Sequence, residues 1–325
     1  MVKSSEFTPV TAALFEEVCA KFFAEDELAF FSGGPDVGQA FAKLPFDHLI
    51  FTGATGVGRH ILHAAADNLT PVTLELGGKS PVIIGKSADM KQAAERIAIG
   101  KMMNAGQICL APDYLLVPQE RDAEIVGEIT KAVSVMYPTL LNNDDYTSVV
   151  NARHRDRLRG YLDDARAKGG EVVEINPGNE DFAASNGNKM PLYLVRNPTD
   201  DMKVMQEEIF GPVLQMVRAP DFETAVRLPS EHQYGNGVAI FTRNGHAARE
   251  FAARVNVGMV GINVPIPVPV AYHTFGGWKR SGFGDTNQHG MEGVKFWTKL
   301  KTVTQRWPDG SATGDENAFV IPTMG

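Results

Sequence analysis

Short apolar, β-rich runs alternate with helix-period patterns along most of the chain, which predicts βα units feeding a largely parallel sheet. Leu28 to Phe31, His48 to Thr52, Val72 to Leu76, Val82 to Ile84 and Tyr114 to Val117 read as strands. Val37 to Lys43, Val57 to Asn68 and Met90 to Met103 carry the helical period between them. Ahead of these, Thr8 and Pro9 form the start signal of a helix whose Ala13, Leu14, Val18, Phe22 and Phe23 make an apolar face. From Arg121 the pattern is helix (Ala123 to Val135), polar loop (Asn142 to Tyr146), long charged helix (Ala152 to Lys168), then strand pieces at Val172 and Leu192 to Val195. Asn176 to Asn188, rich in Asn, Gly, Asp and Ser, reads as surface loop. Beyond Pro212 the alternation returns through Val213 to Val217, Phe222 to Leu228, Val238 to Phe241, His246 to Arg254 and Met259 to Ile262. It ends in a glycine-rich segment, Gly276 to Gly284. The fold class is α/β.

Composition narrows the function without naming it. The 325 residues, 43% hydrophobic and 22% charged, are ordinary globular material and suffice for about two domains. With 31 basic against 39 acidic residues, the net charge of −8 offers no field for phosphates, so no nucleic-acid partner is expected. The most apolar run, Gly258 to Tyr272, carries Asn263, Pro265, Pro267 and Pro269, so no membrane partner is expected either. The N-terminus lacks the apolar core of a signal peptide, which makes a cytoplasmic address the expectation. Two cysteines, Cys19 and Cys109, are too few for a disulfide framework. The eight histidines fall in no metal-ligand spacing, so no metal is expected.

Three segments carry candidate chemistry. Gly53-Ala54-Thr55-Gly56-Val57-Gly58 joins a strand to a helix, an arrangement that aims free backbone N–H groups at an anion. Its spacing is not the usual dinucleotide fingerprint, and a ligand-free tight turn uses glycine equally well. Gly78-Lys79-Ser80 invites a phosphate-loop reading, but Thr73 stands where that loop needs glycine. Cys19 sits among core-like neighbours in a helix and reads as a structural thiol. Cys109 follows a Gly-Gln pair between a helix and a new segment, where backbone N–H groups can face a thiolate or an oxyanion. It is either a nucleophile or a small hydrophobe in a loop. Glu75, at a strand end before two glycines, can serve as a general base for water, and the glycines let other groups approach closely. A Cys and a Glu without a His suggest thioester chemistry.

Phe51 to Gly58, Leu74 to Pro81, Gly106 to Cys109, Glu207 to Pro212 and Gly276 to Gly282 together resemble five ordered motifs of the aldehyde dehydrogenase superfamily. The resemblance covers essentially the whole chain. It implies a partial Rossmann-type dinucleotide-binding domain over residues 1–77, a complete α/β catalytic domain over 78–275, and a C-terminal return and oligomerisation segment over 276–325. It implies NAD or NADP as cofactor, a small-molecule aldehyde as substrate, and a homo-oligomer. On these positions Cys109 matches the nucleophile that forms a thiohemiacetal and then, after hydride transfer, an acyl-thioester. Glu75 matches the base that activates water for its hydrolysis. Thr52, Gly53, Ala54, Gly58 and Leu76 match cofactor-binding positions, with Ala54 where many members have a Ser near the pyrophosphate. Glu208 and Phe210 match the pair that positions the nicotinamide ribose and ring. Lys3 and Glu6, in Lys3-Ser4-Ser5-Glu6, match the pair that holds the adenosine ribose.

Three departures qualify what the resemblance implies. The family carries a long region before the Lys3 segment, holding the first part of the cofactor domain, an oligomerisation hairpin and an oxyanion-donating Asn. Loss of such a donor costs roughly 10²–10³ in rate. Without those strands a sheet edge and an apolar face lie unpaired unless another copy covers them. Finally, residues up to about Pro212 are similar to coniferyl-aldehyde dehydrogenases, whereas from about Arg218 the chain is similar to methylmalonate-semialdehyde dehydrogenases, through Val257 to Pro269 and the closing Pro322-Thr323-Met324-Gly325. The second group transfers its acyl group to coenzyme A and usually lacks the base; retention of Glu75 favours hydrolysis. The alternative function is a cysteine-nucleophile esterase, which cleaves an ester through the same thioester with no hydride acceptor.

Overall fold

The computed structural model describes residues 1–219 and 221–305; the closing Pro322 to Gly325 lies outside the described residues. Two sheets organise the chain. The smaller contains β1 (Leu49–Gly53) and β2 (Val72–Leu76) in parallel, with a late segment, Gly282–Phe283, antiparallel on the other side of β2. The larger contains β3 (Pro81–Ile84), β4 (Tyr114–Val117), β5 (Glu171–Ile175), β6 (Leu192–Arg196), β7 (Val213–Arg218), β8 (Gly237–Phe241) and β9 (Met259–Ile262). Its order is β9-β8-β3-β4-β7-β6-β5, parallel except for β5, which runs antiparallel along the edge on β6.

The central strands β3, β4 and β8 are buried at every residue, as a parallel sheet covered on both faces requires. Their side chains alternate between two cores. Val82, Ile84, Leu115 and Val117 pack with Ala93, Ala94 and Ile97 of α4 (Met90–Met102) and Ile125, Ile129 and Val133 of α5 (Asp122–Met136). Ile83, Tyr114 and Leu116 face the opposite way, onto Ala225 and Val226 of the helix Phe222–Glu231 and Phe251 of the helix Gly245–Arg254. The period of two therefore decides which core each residue enters.

The helix Phe222–Glu231 runs past Leu228, where the sequence pattern ends it, and holds Pro229 inside. The ammonium of Lys279 supports that last turn, donating to the carbonyls of Pro229 (3.0 Å), Ser230 (2.8 Å) and His232 (3.1 Å), groups that a helix end otherwise leaves open.

The N-terminal helix α1 (Pro9–Cys19) departs most from expectation. Of its residues Ala12 alone is buried, whereas Leu14, Phe15 and Val18 are exposed, as are Phe22 and Phe23 just beyond it. Cys19 is half-buried instead of part of a core. An amphipathic pattern marks the face that seeks burial but supplies no opposing surface. Here that surface is a two-residue pairing of Val2–Lys3 with Phe30–Phe31, with Phe15 stacked on Phe30 at 6.0 Å. The strand expected from Leu28 is correspondingly reduced to Phe30–Phe31.

This contrast sets a stability test. Phe22→Gln and Val10→Gln should each move the urea-unfolding free energy by under about 0.5 kcal/mol. Ile97→Ala, in the core of α4, should lower it by about 2–5 kcal/mol. A comparable loss from the two surface changes would mean that α1 is covered in solution.

Candidate functional site

Between Leu76 and Pro81 the chain leaves the small sheet and enters the large one, and the candidate site is built around this crossing. After α4 the backbone turns left-handed at Asn104, Ala105 and Gly106 (φ 50°, 52° and 72°), a region that an Ala adopts only at a cost. Buried Gln107 holds the turn. Its amide nitrogen donates to the carbonyls of Asn104 and Ser148, both at 3.0 Å, and its amide oxygen accepts from Val150 N–H at 2.8 Å. A Cβ at Gly106 would stand 2.4 Å from the Gly211 carbonyl oxygen, so this turn is pressed directly onto the 207–211 segment. Cys109 follows, open to solvent. Protein packed around the sulphur raises the thiol pKa, Glu208 and Glu75 add to the rise, and the Asn236 side chain and the residue's own amide act the other way.

Glu75 lies opposite Thr52 of β1 and Gly282. Burial raises its pKa to about 7. It lines a cavity of about 360 Å³ together with Phe275, Gly276 and Gly277; Cys109 is not part of that lining. Leu76 N–H donates to Ser281 O at 2.9 Å. The two glycines then admit close neighbours. A Cβ on Gly77 would stand 2.1 Å from the Glu208 carboxylate, and one on Gly78 would stand 2.9 Å from both the Cys109 carbonyl oxygen and the Asn236 Cβ. Gly78 N–H donates to Glu208 Oε1 at 3.0 Å. Burial raises the Glu208 pKa to about 7 against the pull of that bond. Phe210 is also left-handed, at φ 48°.

The 204–211 segment is fixed by a buried ion pair. Lys79 Nζ donates to Asp113 Oδ1 (2.6 Å), Val204 O (2.5 Å) and Glu207 O (2.8 Å), while Asp113 Oδ2 accepts from Ile209 N–H at 2.9 Å. From the helix Ala152–Ala167, Arg157 donates to Glu208 O (3.1 Å) and Ile209 O (2.7 Å). Lys101, fully buried, has its pKa drawn down to about 8 by burial, with Asp113 opposing.

The other predicted positions fall in two further places. The helix α3 (Thr55–Ala66) starts two residues earlier than its periodicity suggests, because Thr55 and Gly56 already take helical backbone after Ala54 (ψ 141°). Ala54 is its N-cap and provides no side-chain bond, so the first-turn N–H groups point outward, beyond Thr52 and Gly53 at the end of β1. Gly58 packs the helix on the sheet: a Cβ there would stand 2.8 Å from Leu76. Lys3 and Glu6 pair at 3.3 Å, and Glu6 lines a cleft of about 490 Å³ with Ser5, Ala12, Ser32, Gly33 and Gly34. Sequence reasoning overlooked Asn236, Asp113 and Lys101. An Asn between the glycines of Tyr234-Gly235-Asn236-Gly237 was the available signal for the first.

The α/β scaffold thus carries a cysteine just after a left-handed turn, two carboxylates of raised pKa and an uncapped helix start. The chain belongs to the aldehyde dehydrogenase family, whose family model matches residues 1–303. It is 49% identical over 307 residues to the probable coniferyl aldehyde dehydrogenase of Caulobacter vibrioides, covering 94% of this chain and 63% of that protein. The coniferyl aldehyde dehydrogenase of a Pseudomonas species is 46% identical over 313 residues, 96% of this chain and 65% of that one. The solved methylmalonate-semialdehyde dehydrogenase of Oceanimonas doudoroffii superposes with a TM-score of 0.86 at 33% identity, covering 94% of this chain and 64% of that chain. The chain thus spans about two thirds or less of the length of these relatives, and its matches to both groups run along nearly all of it. No helix among the described residues is long and apolar enough to cross a membrane.

Removing one member of the buried pair leaves the other charge unpaired. Lys79→Met should therefore lower unfolding free energy by about 3–5 kcal/mol, and the double variant Lys79→Met/Asp113→Leu should recover part of that loss in the same urea titration. Additive losses would show the two residues to be independent.

Proposed function

We propose that this chain oxidises an aldehyde to a carboxylic acid through a covalent intermediate on Cys109. The observation that carries this reading is the meeting of the Cys109 turn and the Glu208 carboxylate on the two glycines that follow Glu75. The Cys109 thiolate adds to the carbonyl carbon, forming a C–S bond and an oxyanion to which Cys109 N–H donates. A bound NAD or NADP supplies the acceptor for the hydride that leaves this carbon. The residues fit such a group. The uncapped start of α3, reached through Thr52, Gly53 and Ala54 and braced by Gly58 against Leu76, suits a pyrophosphate. Glu6, lining the roughly 490 Å³ cleft, and its ion-pair partner Lys3 would hold the adenosine ribose, and Glu208 and Phe210 serve the nicotinamide ribose and ring. Water then attacks the thioester, its proton passes to Glu75, the C–S bond breaks, and the acid leaves with the Cys109 thiolate restored.

In this reading residues 1–77 supply the dinucleotide-binding part, 78–275 carry the chemistry, and the return segment contributes to a homo-oligomer. Hydrolysis is favoured over acyl transfer because Glu75 is present. A second reading is ester hydrolysis through the same Cys109 thioester, which needs the Cys109 turn and Glu75 but not the Lys3–Glu6 cleft.

Absorbance of the reduced nicotinamide, followed with a panel of aromatic and semialdehyde substrates and NAD+ or NADP+, tests the main reading. Turnover should vanish in Cys109→Ala. Glu75→Gln should keep a burst of about one equivalent and lose roughly 10²–10⁴ of the steady rate. Because Glu75 acts as its carboxylate, hydrolysis should rise with pH through about 7 and level off above, and the Gln variant should lack that rise. No turnover with either cofactor overturns this reading. Aryl-ester cleavage that survives in Cys109→Ala overturns the second.

A further inference from the structure

We propose that Asn236 is a positioning residue for Cys109, its carboxamide locking the nucleophile's turn and setting how readily the sulphur ionises. The inference rests on Cys109 being the nucleophile, as argued above. Asn236 lies just ahead of β8, 3% exposed, and its backbone is tied down where Met259 N–H donates to its carbonyl at 3.1 Å. Its amide nitrogen donates to the Cys109 carbonyl at 3.3 Å. Its amide oxygen is buried with no hydrogen-bond partner among the described residues and faces Gly277, where a Cβ would stand 2.9 Å away. On the other side a Cβ at Gly78 would reach the Asn236 Cβ at 2.9 Å. The side chain is therefore held between the crossing that follows Glu75, the Cys109 turn and the C-terminal return, with room made for it by glycine on two of the three sides.

A buried carboxamide with an unpaired oxygen destabilises the fold, a penalty that an apolar residue of similar size would avoid. A polar group kept there at that cost fits a role toward the reactive atom. The charged groups facing the thiol are Glu208 and Glu75, and both resist its ionisation, as does the protein packed around the sulphur, which is the largest contribution. Behind Glu208 stand Lys79, Lys101, Arg157 and Asp113. Against that packing and two carboxylates, the donors on the thiolate's side are Asn236 and the Cys109 amide itself.

The test is the pH profile of Cys109 alkylation by iodoacetamide, measured on the full chain in a Cys19→Ser background so that one thiol reports. Alkylation follows the thiolate and needs neither aldehyde nor cofactor. Asn236→Leu should move the midpoint upward by about one pH unit and slow alkylation at neutral pH about tenfold. Asn236→Asp, which preserves shape and adds a third negative charge, should move it further in the same direction. It also keeps the test valid should the Leu variant fold poorly. A merely structural role would lower the melting temperature and leave the midpoint in place; a profile superposable on the parent in either folded variant overturns the proposal. A shifted profile in a protein that turns over no aldehyde keeps this inference and rejects aldehyde oxidation, whereas turnover with an unshifted profile does the reverse.

Discussion

The contact between Lys79 and Asp113 governs the geometry of everything around it. Both side chains are nearly free of solvent, at 1% and 5% exposure, so each charge has surrendered its hydration and must be compensated within the protein. The compensation is complete on the cation's side. An ammonium has three donors, and these go to Asp113, Val204 O and Glu207 O. Asp113 spends its second oxygen on Ile209 N–H. One residue comes from the crossing between the sheets and the other from the step into β4, and the pair grips a segment some ninety residues further on. Glu208 is presented to Gly78 because the residues on either side of it are already fastened.

That anchoring has an electrostatic consequence. It holds Glu208, a carboxylate of raised pKa, near a thiol that Glu208 and Glu75 both make harder to ionise, while burial is what raises each carboxylate. The proposed cycle, which begins with a thiolate and ends with a proton taken from water, would draw on carboxylates that exchange protons near neutrality. It also needs donors that favour the thiolate without adding an ionisable group. An amide side chain and a backbone N–H meet that requirement, since neither titrates in the working range.

Much of the scaffold was legible because it follows from local periodicity: the strands from β1 to β4 and from β7 to β9 lie where apolar runs and turn residues put them. The cysteine turn and the Glu75 strand end were legible for the same reason, each being a short motif with its own geometry. The remainder depends on partners distant in sequence. Thr73 stands where a phosphate loop ahead of Lys79 would need glycine, but nothing near Lys79 in sequence reveals its acceptors at Asp113, Val204 and Glu207. Asn236 acts on a residue 127 positions away. The apolar face of α1 was read as core because a pattern of side chains cannot tell whether a surface exists for it to meet.

The glycines of the α3 turn show how one ambiguous motif divides once packing is known. A strand–glycine–helix turn could serve an anion or simply close tightly, and the sequence supported both. Gly58 belongs to the second use, since its missing Cβ is what lets α3 settle on Leu74 and Leu76. Gly56 has nothing among the described residues within 4 Å of where a Cβ would stand, so none of their contacts demands glycine there. It lies in the first turn of the helix, after an N-cap residue whose side chain cannot bind the free N–H groups. An internal cap would have occupied those donors, and Ala54 leaves them facing outward. Packing explains the last glycine of the run, and the proposed anion at the helix start would lie beside the open space at the earlier one.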